Sequence, residues 1–284
     1  MASEESSAEM PKTWADQIRL RQAWKYTRGA GVKIALLDTG VAPCVGLRHV
    51  EQEVFNKRRG DHNGHGTATA ALIGAKRSRG RRFFGVAHEA ELIAYSVSNP
   101  GLDPRKMYAA APVERAIRAA LEREVDLICC PFHIGRVDGS FAEAIAEAAA
   151  AHVPVLVSAG NNPSARPGFP SQDQPVIHVG AVDRRGRTIY RWRPWMSVSG
   201  PGKAIRTMLR NGNLTEVFWG TSAAAPIVTG IAALGIALAR ERDPSGELAL
   251  ELRRELATRL TETAANSRTR LVDPLSFLAS IPRS

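Results

Sequence analysis

Three short stretches carry residue types that together suit acyl transfer. Ala35-Leu36-Leu37-Asp38-Thr39-Gly40 sets a carboxylate at the end of an apolar run. Asn63-Gly64-His65-Gly66-Thr67 sets an imidazole between two glycines, and Gly220-Thr221-Ser222-Ala223-Ala224-Ala225-Pro226 sets a hydroxyl before a run of small residues. Acyl transfer by serine needs a hydroxyl, a base to take its proton and a carboxylate to orient that base. Asp38, His65 and Ser222 are the candidates for those three roles.

Each motif also has a plainer reading. A serine ahead of a helix is usually a cap. Asp-Thr-Gly is usually a turn, and it is also the signature of aspartic peptidases, which need a second copy or a dimer in an all-β chain. His62 and His65 form a His-x-x-His pair beside Asp61, but no helix-borne glutamate accompanies them and the glycines favour a turn. No metal site is expected there.

The elements that must hold these groups follow from pattern. Residues 32–37, 92–97, 127–130, 153–158 and 176–182 read as strands. Residues 64–75, 108–124, 142–151, 222–240 and 247–260 read as helices. This alternation predicts an α/β fold with a mainly parallel, doubly wound sheet. In such sheets functional residues gather beyond the carboxyl ends of the strands, and Asp38 and Asn161 both fall there. The glycines beside His65 allow close backbone approach at the start of a helix. Pro226 is expected in the first turn of the Ser222 helix, where a missing N–H is tolerated.

On these motifs, in the order Asp, His, Ser, the chain resembles the subtilases over residues 14–279. Val157-Ser158-Ala159-Gly160-Asn161 is similar to the family's oxyanion segment, and Phe84-Gly85-Val86-Ala87 and Val179-Gly180-Ala181-Val182 are further similar stretches. The resemblance implies a subtilisin-like three-layer fold and a serine endopeptidase with Asn161 donating its amide to the oxyanion. It also implies a substrate cleft lined by Pro131, Phe132, His133, Ser158, Ala159 and Gly160.

The chain departs from the family at several points. Many subtilases bind calcium in the loop that here reads Lys76-Arg77-Ser78-Arg79-Gly80-Arg81-Arg82, whose cations oppose an ion that takes oxygen ligands. No cofactor is expected. The usual Ser-Leu-Gly of the cleft is replaced by Pro131-Phe132-His133; Pro131 removes a donor and His133 adds bulk. This favours a restricted peptidase, and it also motivates the alternative of a retired subtilase that only binds a peptide or partner. Arg166, in the expected wall of the primary specificity pocket, would favour an acidic or polar side chain.

The composition bounds the rest. The 284 residues are 44% hydrophobic, enough for one large domain over 14–284 behind a loose tail at 1–13. The tail lacks the build of a signal peptide, and no prodomain is visible before Asp38. The 38 basic and 28 acidic residues give a net charge of +10, which favours anionic partners, be they nucleic acid, anionic lipid or an acidic peptide, without choosing among them. Arginines interleaved with Tyr190, Trp192 and Trp195 over residues 183–195 suit single-stranded nucleic acid, but no nucleic-acid fold motif accompanies them. Cys44, Cys129 and Cys130 are an odd set without a disulfide pattern. The apolar stretch 223–239 contains Pro226 and two glycines and reads as a buried helix, not a membrane span. The expectation is a cytoplasmic processing peptidase that acts on peptide precursors.

Overall fold

The computed structural model describes residues 13–56, 60–77, 83–99, 107–134, 139–161, 174–190, 196–265 and 268–283. The elements run α1 (Trp14–Gln17), α2 (Leu20–Ala23), β1 (Lys33–Asp38), β2 (Glu51–Val54), α3 (His65–Gly74), β3 (Glu91–Ser96), α4 (Ala110–Glu122), β4 (Leu127–Cys130) and α5 (Gly139–Ala150). They continue with β5 (Val155–Ser158), β6 (Ile177–Val182), β7 (Val198–Pro201), β8 (Ile205–Met208), β9 (Leu214–Phe218), α6 (Thr221–Arg242), α7 (Glu247–Glu262) and α8 (Pro274–Ala279). Thr13, assigned to the tail on sequence, is the N-cap of α1 and shares a capping box with Asp16.

Seven strands form one sheet in the order β2-β3-β1-β4-β5-β6-β7. Every pairing in it is parallel, so all the strands end on one edge. β8 and β9 form a separate antiparallel hairpin. The central strands are buried on both faces, as crossover helices require. Successive side chains of β1 divide between two cores: Ile34 and Leu36 join α3, α6 and α7, while Ala35 and Leu37 join α4 and α5. The period of two that a strand imposes thus builds the three layers. On α4 the buried residues are Val113, Ala116, Ile117 and Ala120, the spacing of one helical face.

α6 is buried all round from Ala223 to Ala239. It is long and apolar enough to cross a membrane by composition, yet 94% of its most apolar window is inside the protein. Burying each of Ile227, Val228, Ile231 and Leu234 contributes about 1.5–3 kcal/mol. The helix starts at Thr221, so Pro226 is its sixth residue and not part of its first turn. The carbonyl of Ser222, four residues earlier, therefore lacks its helical donor.

Gly66 is fixed by close approach. A Cβ there would lie 2.0 Å from the Gly40 carbonyl oxygen. This contact ties the start of α3 to the end of β1. Gly66→Ala is expected to destabilise the fold by about 1–3 kcal/mol or more through overpacking, read as a lowered Tm.

Candidate active site

Asp38 ends β1 and is almost fully buried. A buried carboxylate must be paired and hydrogen-bonded, and four groups meet this one. The Thr39 N–H donates to Oδ1 at 2.7 Å. The Thr69 hydroxyl donates to Oδ2 at 2.8 Å, and the buried Tyr108 hydroxyl to Oδ1 at 3.0 Å. His65 Nδ1 lies 2.8 and 2.9 Å from the two oxygens. One backbone N–H and two hydroxyls thus hold the carboxylate, and no local motif announced the hydroxyls.

The carboxylate is acceptor-only, so His65 carries its proton on Nδ1 and keeps a lone pair on Nε2. That is the form a general base needs. The side chain is 21% exposed. Burial disfavours the imidazolium, but the charge and hydrogen bond of Asp38, with the more distant charge of Asp61, outweigh it. The His65 pKa is raised above its usual value.

His65 is also the first residue of α3, and Asp61 stages that helix end. Its carboxylate accepts from the Gly64 and Thr67 N–H groups at 2.8 and 3.0 Å and from the hydroxyls of Thr39 and Thr67 at 2.7 and 2.6 Å. The Asp61 of the His-x-x-His stretch is thus a helix cap.

Asn161 meets the start of α6. Its Oδ1 accepts from the Thr221 N–H at 3.0 Å and the Thr221 hydroxyl at 2.9 Å. These two donors fix which end of the amide is oxygen, leaving Nδ2 as the outward donor. Gly220 permits the contact: it has φ +96°, and a Cβ there would sit 2.7 Å from Nδ2. Ser222 is the second residue of α6 and half-buried. The Phe218 ring stands edge-on to His65 at 5.5 Å, which draws the chain just before Ser222 toward the imidazole. Among the described residues no hydrogen bond joins Ser222 to His65, as is common before substrate draws such a pair together.

Residues 29–273 match the model of the Subtilase family. The chain belongs to the subtilases. It is 30% identical over 252 residues to an intracellular serine protease of Paenibacillus polymyxa, covering 81% of this chain and 74% of that protein. It is 31% identical over 213 residues to a thermostable alkaline protease of Halalkalibacterium halodurans, covering 72% of this chain and 57% of that one. In fold it resembles the prenylagaramide maturation protease PagA, with a TM-score of 0.77, 22% identity and coverage of 93% and 98% of the two chains.

The remaining site residues of this subtilase divide. Pro131, Phe132 and His133 follow the end of β4, but Phe132 is turned into the core. Its ring stacks on Tyr108 at 4.0 Å and 12°, behind Asp38. The Phe132 side chain therefore faces the core rather than a cleft. Ser158 ends β5 with a buried hydroxyl that has no partner among the described residues. The Ala159 N–H is engaged with the Val179 carbonyl at 3.0 Å, and Gly160 turns the chain toward Asn161 at φ +87°.

Arg166 lies outside the described residues, as do 78–82 of the arginine-rich loop and 191–195 of the basic–aromatic stretch. The described part of that loop, Lys76 and Arg77, offers cations where calcium takes oxygens, so these residues do not fit the ion. Arg187 pairs with Asp183 at 2.8 Å, and Tyr190 stacks on the exposed Trp219.

The held amide of Asn161 has a measurable consequence. Asn161→Ala is expected to lower kcat on a peptide substrate by about 10²–10³, the size seen for an oxyanion donor in this family, with little change in KM. A rise in KM with kcat unchanged would assign Asn161 to substrate binding.

Proposed function

We propose that this subtilase cuts peptide bonds through an acyl-enzyme formed on Ser222. His65 Nε2 takes the proton as Ser222 Oγ attacks the peptide carbonyl, and returns it to the departing amine. Asp38 holds the tautomer and stabilises the imidazolium. Asn161 Nδ2 and the Ser222 backbone N–H, at the positive end of α6, stabilise the oxyanion. Water then repeats the cycle and frees the acid product. The observation that carries this reading is the Asp38–His65 pair, with Nδ1 within 2.9 Å of both carboxylate oxygens.

The finer reading is a dedicated processing peptidase inside the cell that acts on a limited set of peptide precursors. Support comes from three buried free thiols, which suit a reducing compartment, and from the intracellular serine protease among its relatives. The net charge of +10 favours acidic stretches in those precursors.

The test is labelling by a fluorophosphonate probe. Wild type is expected to label, and Ser222→Ala and His65→Ala are expected not to. An unlabelled but folded wild type would overturn the peptidase reading in favour of a retired, peptide-binding subtilase.

A further inference from the structure

A cleft that the acyl-transfer chemistry does not use opens beside Arg77, three residues beyond the end of α3 remote from His65. Ten residues of α3 separate the two ends, about 15 Å at 1.5 Å per residue. The cleft holds about 870 Å³ and is lined by Arg21, Trp24, Lys25, Arg77, Phe84 and His88, among others. Such a volume suits a sizeable ligand or a short peptide segment.

Its floor is aromatic and fixed. Trp24 packs on Phe84 at 4.8 Å, and His88 stands edge-on to both at 5.2 and 5.0 Å. The Trp24 indole donates to the Val86 carbonyl at 2.7 Å. The Arg77 guanidinium lies 5.3 Å over the Phe84 ring.

The walls carry surplus positive charge. Arg21, Lys25 and Arg77 are exposed, and among the described residues they enter no ion pair. The two acids of the cleft already have partners: Glu89 faces Arg28 at 3.7 Å, and Glu241 accepts from the Thr27 hydroxyl at 3.1 Å. Beneath them His88 is buried, with its Nδ1 on the Gly85 carbonyl at 3.1 Å. Burial, together with the Arg28 and Arg77 charges, keeps its pKa below the usual value.

We propose that this cleft is an exosite for an acidic peptide segment. Carboxylates of the segment pair with Arg21, Lys25 and Arg77, and its backbone lies across the Trp24 and Phe84 rings. Carboxylates on a peptide can be spaced to avoid Glu89 and Glu241, whereas a continuous phosphate chain must pass both, so the cleft favours the peptide over nucleic acid. The binding stands on the cleft alone. That the segment belongs to a substrate cut at Ser222 rests on the peptidase reading.

The test titrates a fluorescein-labelled glutamate-rich decapeptide into the full-length Ser222→Ala protein at low salt. Binding is expected, weakening as salt rises. Arg21→Glu/Lys25→Glu/Arg77→Glu is expected to weaken it at least about tenfold. The neutral triple change to Gln serves as a milder version should the reversal disturb folding. The NMR titration of His88 is expected to move upward on binding, because the carboxylates offset Arg28 and Arg77. Equal affinity of wild type and both triple variants would overturn the proposal. So would displacement of the peptide by a thymidine oligonucleotide at lower concentration than by unlabelled peptide. A tenfold gain in affinity on Glu4→Gln/Glu5→Gln/Glu9→Gln would also overturn it, by making the chain's own leader the occupant. Fluorophosphonate labelling of the triple variants with Ser222 intact reports the peptidase separately: its absence in wild type would sink that reading and leave the exosite standing.

Discussion

Asp38→Asn is expected to lower kcat by about 10⁴ while leaving the fold intact. The asparagine amide can turn an N–H toward His65 Nδ1. The imidazole then holds its proton on Nε2, facing Ser222, and can no longer act as base. The surroundings offer little relief, since the Thr69 and Tyr108 hydroxyls both donate to this carboxyl. The pH profile moves with it. The base must be neutral, so kcat/KM falls as pH drops through the pKa of His65 in the free enzyme. Asp38 raises that pKa, which sets the acid limb of wild type above the ordinary imidazole value of about 6.5. Without the charge, burial dominates and the limb is expected below it. A limb that stays in place would assign the titration to another group.

Ser222→Ala is expected to lower kcat further, by about 10⁶, the size known for this change in the family. Adding Asp38→Asn should then cost almost nothing more. In the proposed mechanism the base and its orienter act only through the proton of Ser222 Oγ, so removing that proton removes their purpose. Asn161→Ala should behave differently. It still lowers the residual rate of Ser222→Ala, because a water attacking the carbonyl also develops an oxyanion. Full additivity of Asp38→Asn with Ser222→Ala would mean that Asp38 has a role beyond His65. Stopped assays with product quantified by mass spectrometry reach these slow rates.

The candidate site was legible where its residues fall in local motifs. Asp38, His65, Asn161 and Ser222 each sit in a short motif at the end of a strand or the start of a helix. What the motifs could not reveal is what surrounds Asp38. Tyr108 and Phe132 come from separate stretches and meet behind the carboxylate by stacking, a long-range packing outcome with no periodic signal. Asp61 was visible, but its neighbours His62 and His65 drew attention to metal, whereas its five hydrogen bonds to Thr39, Asn63, Gly64 and Thr67 make it a cap.

Strands β1, β3, β4, β5 and β6 and the five long helices were found to within three residues at their ends, whereas β7 was missed because Gly200 and Pro201 read as turn residues although the strand is buried. β2 was missed because Glu51, Gln52 and Glu53 lie exposed or half-buried on a sheet edge, where hydrophobicity is not required. β8 and β9 were missed for a similar reason: the hairpin is half exposed and mixes Arg, Thr and Glu with its apolar residues. Pro226 was placed one residue too early in its helix because Gly220, not a capping side chain, starts α6 at Thr221.

Cys129 and Cys130 adjoin in sequence but belong to different cores, one beneath α6 and the other beneath α4 and α5. Burial raises both thiol pKa values, that of Cys129 to about 12, so neither reacts while the sheet is covered. One dipeptide therefore carries a separate chemical clock for each side of the molecule. Pulse alkylation followed by mass mapping would time the opening of the two layers independently: equal rates mean that the sheet is uncovered in one cooperative event, and unequal rates reveal which helical layer lifts first.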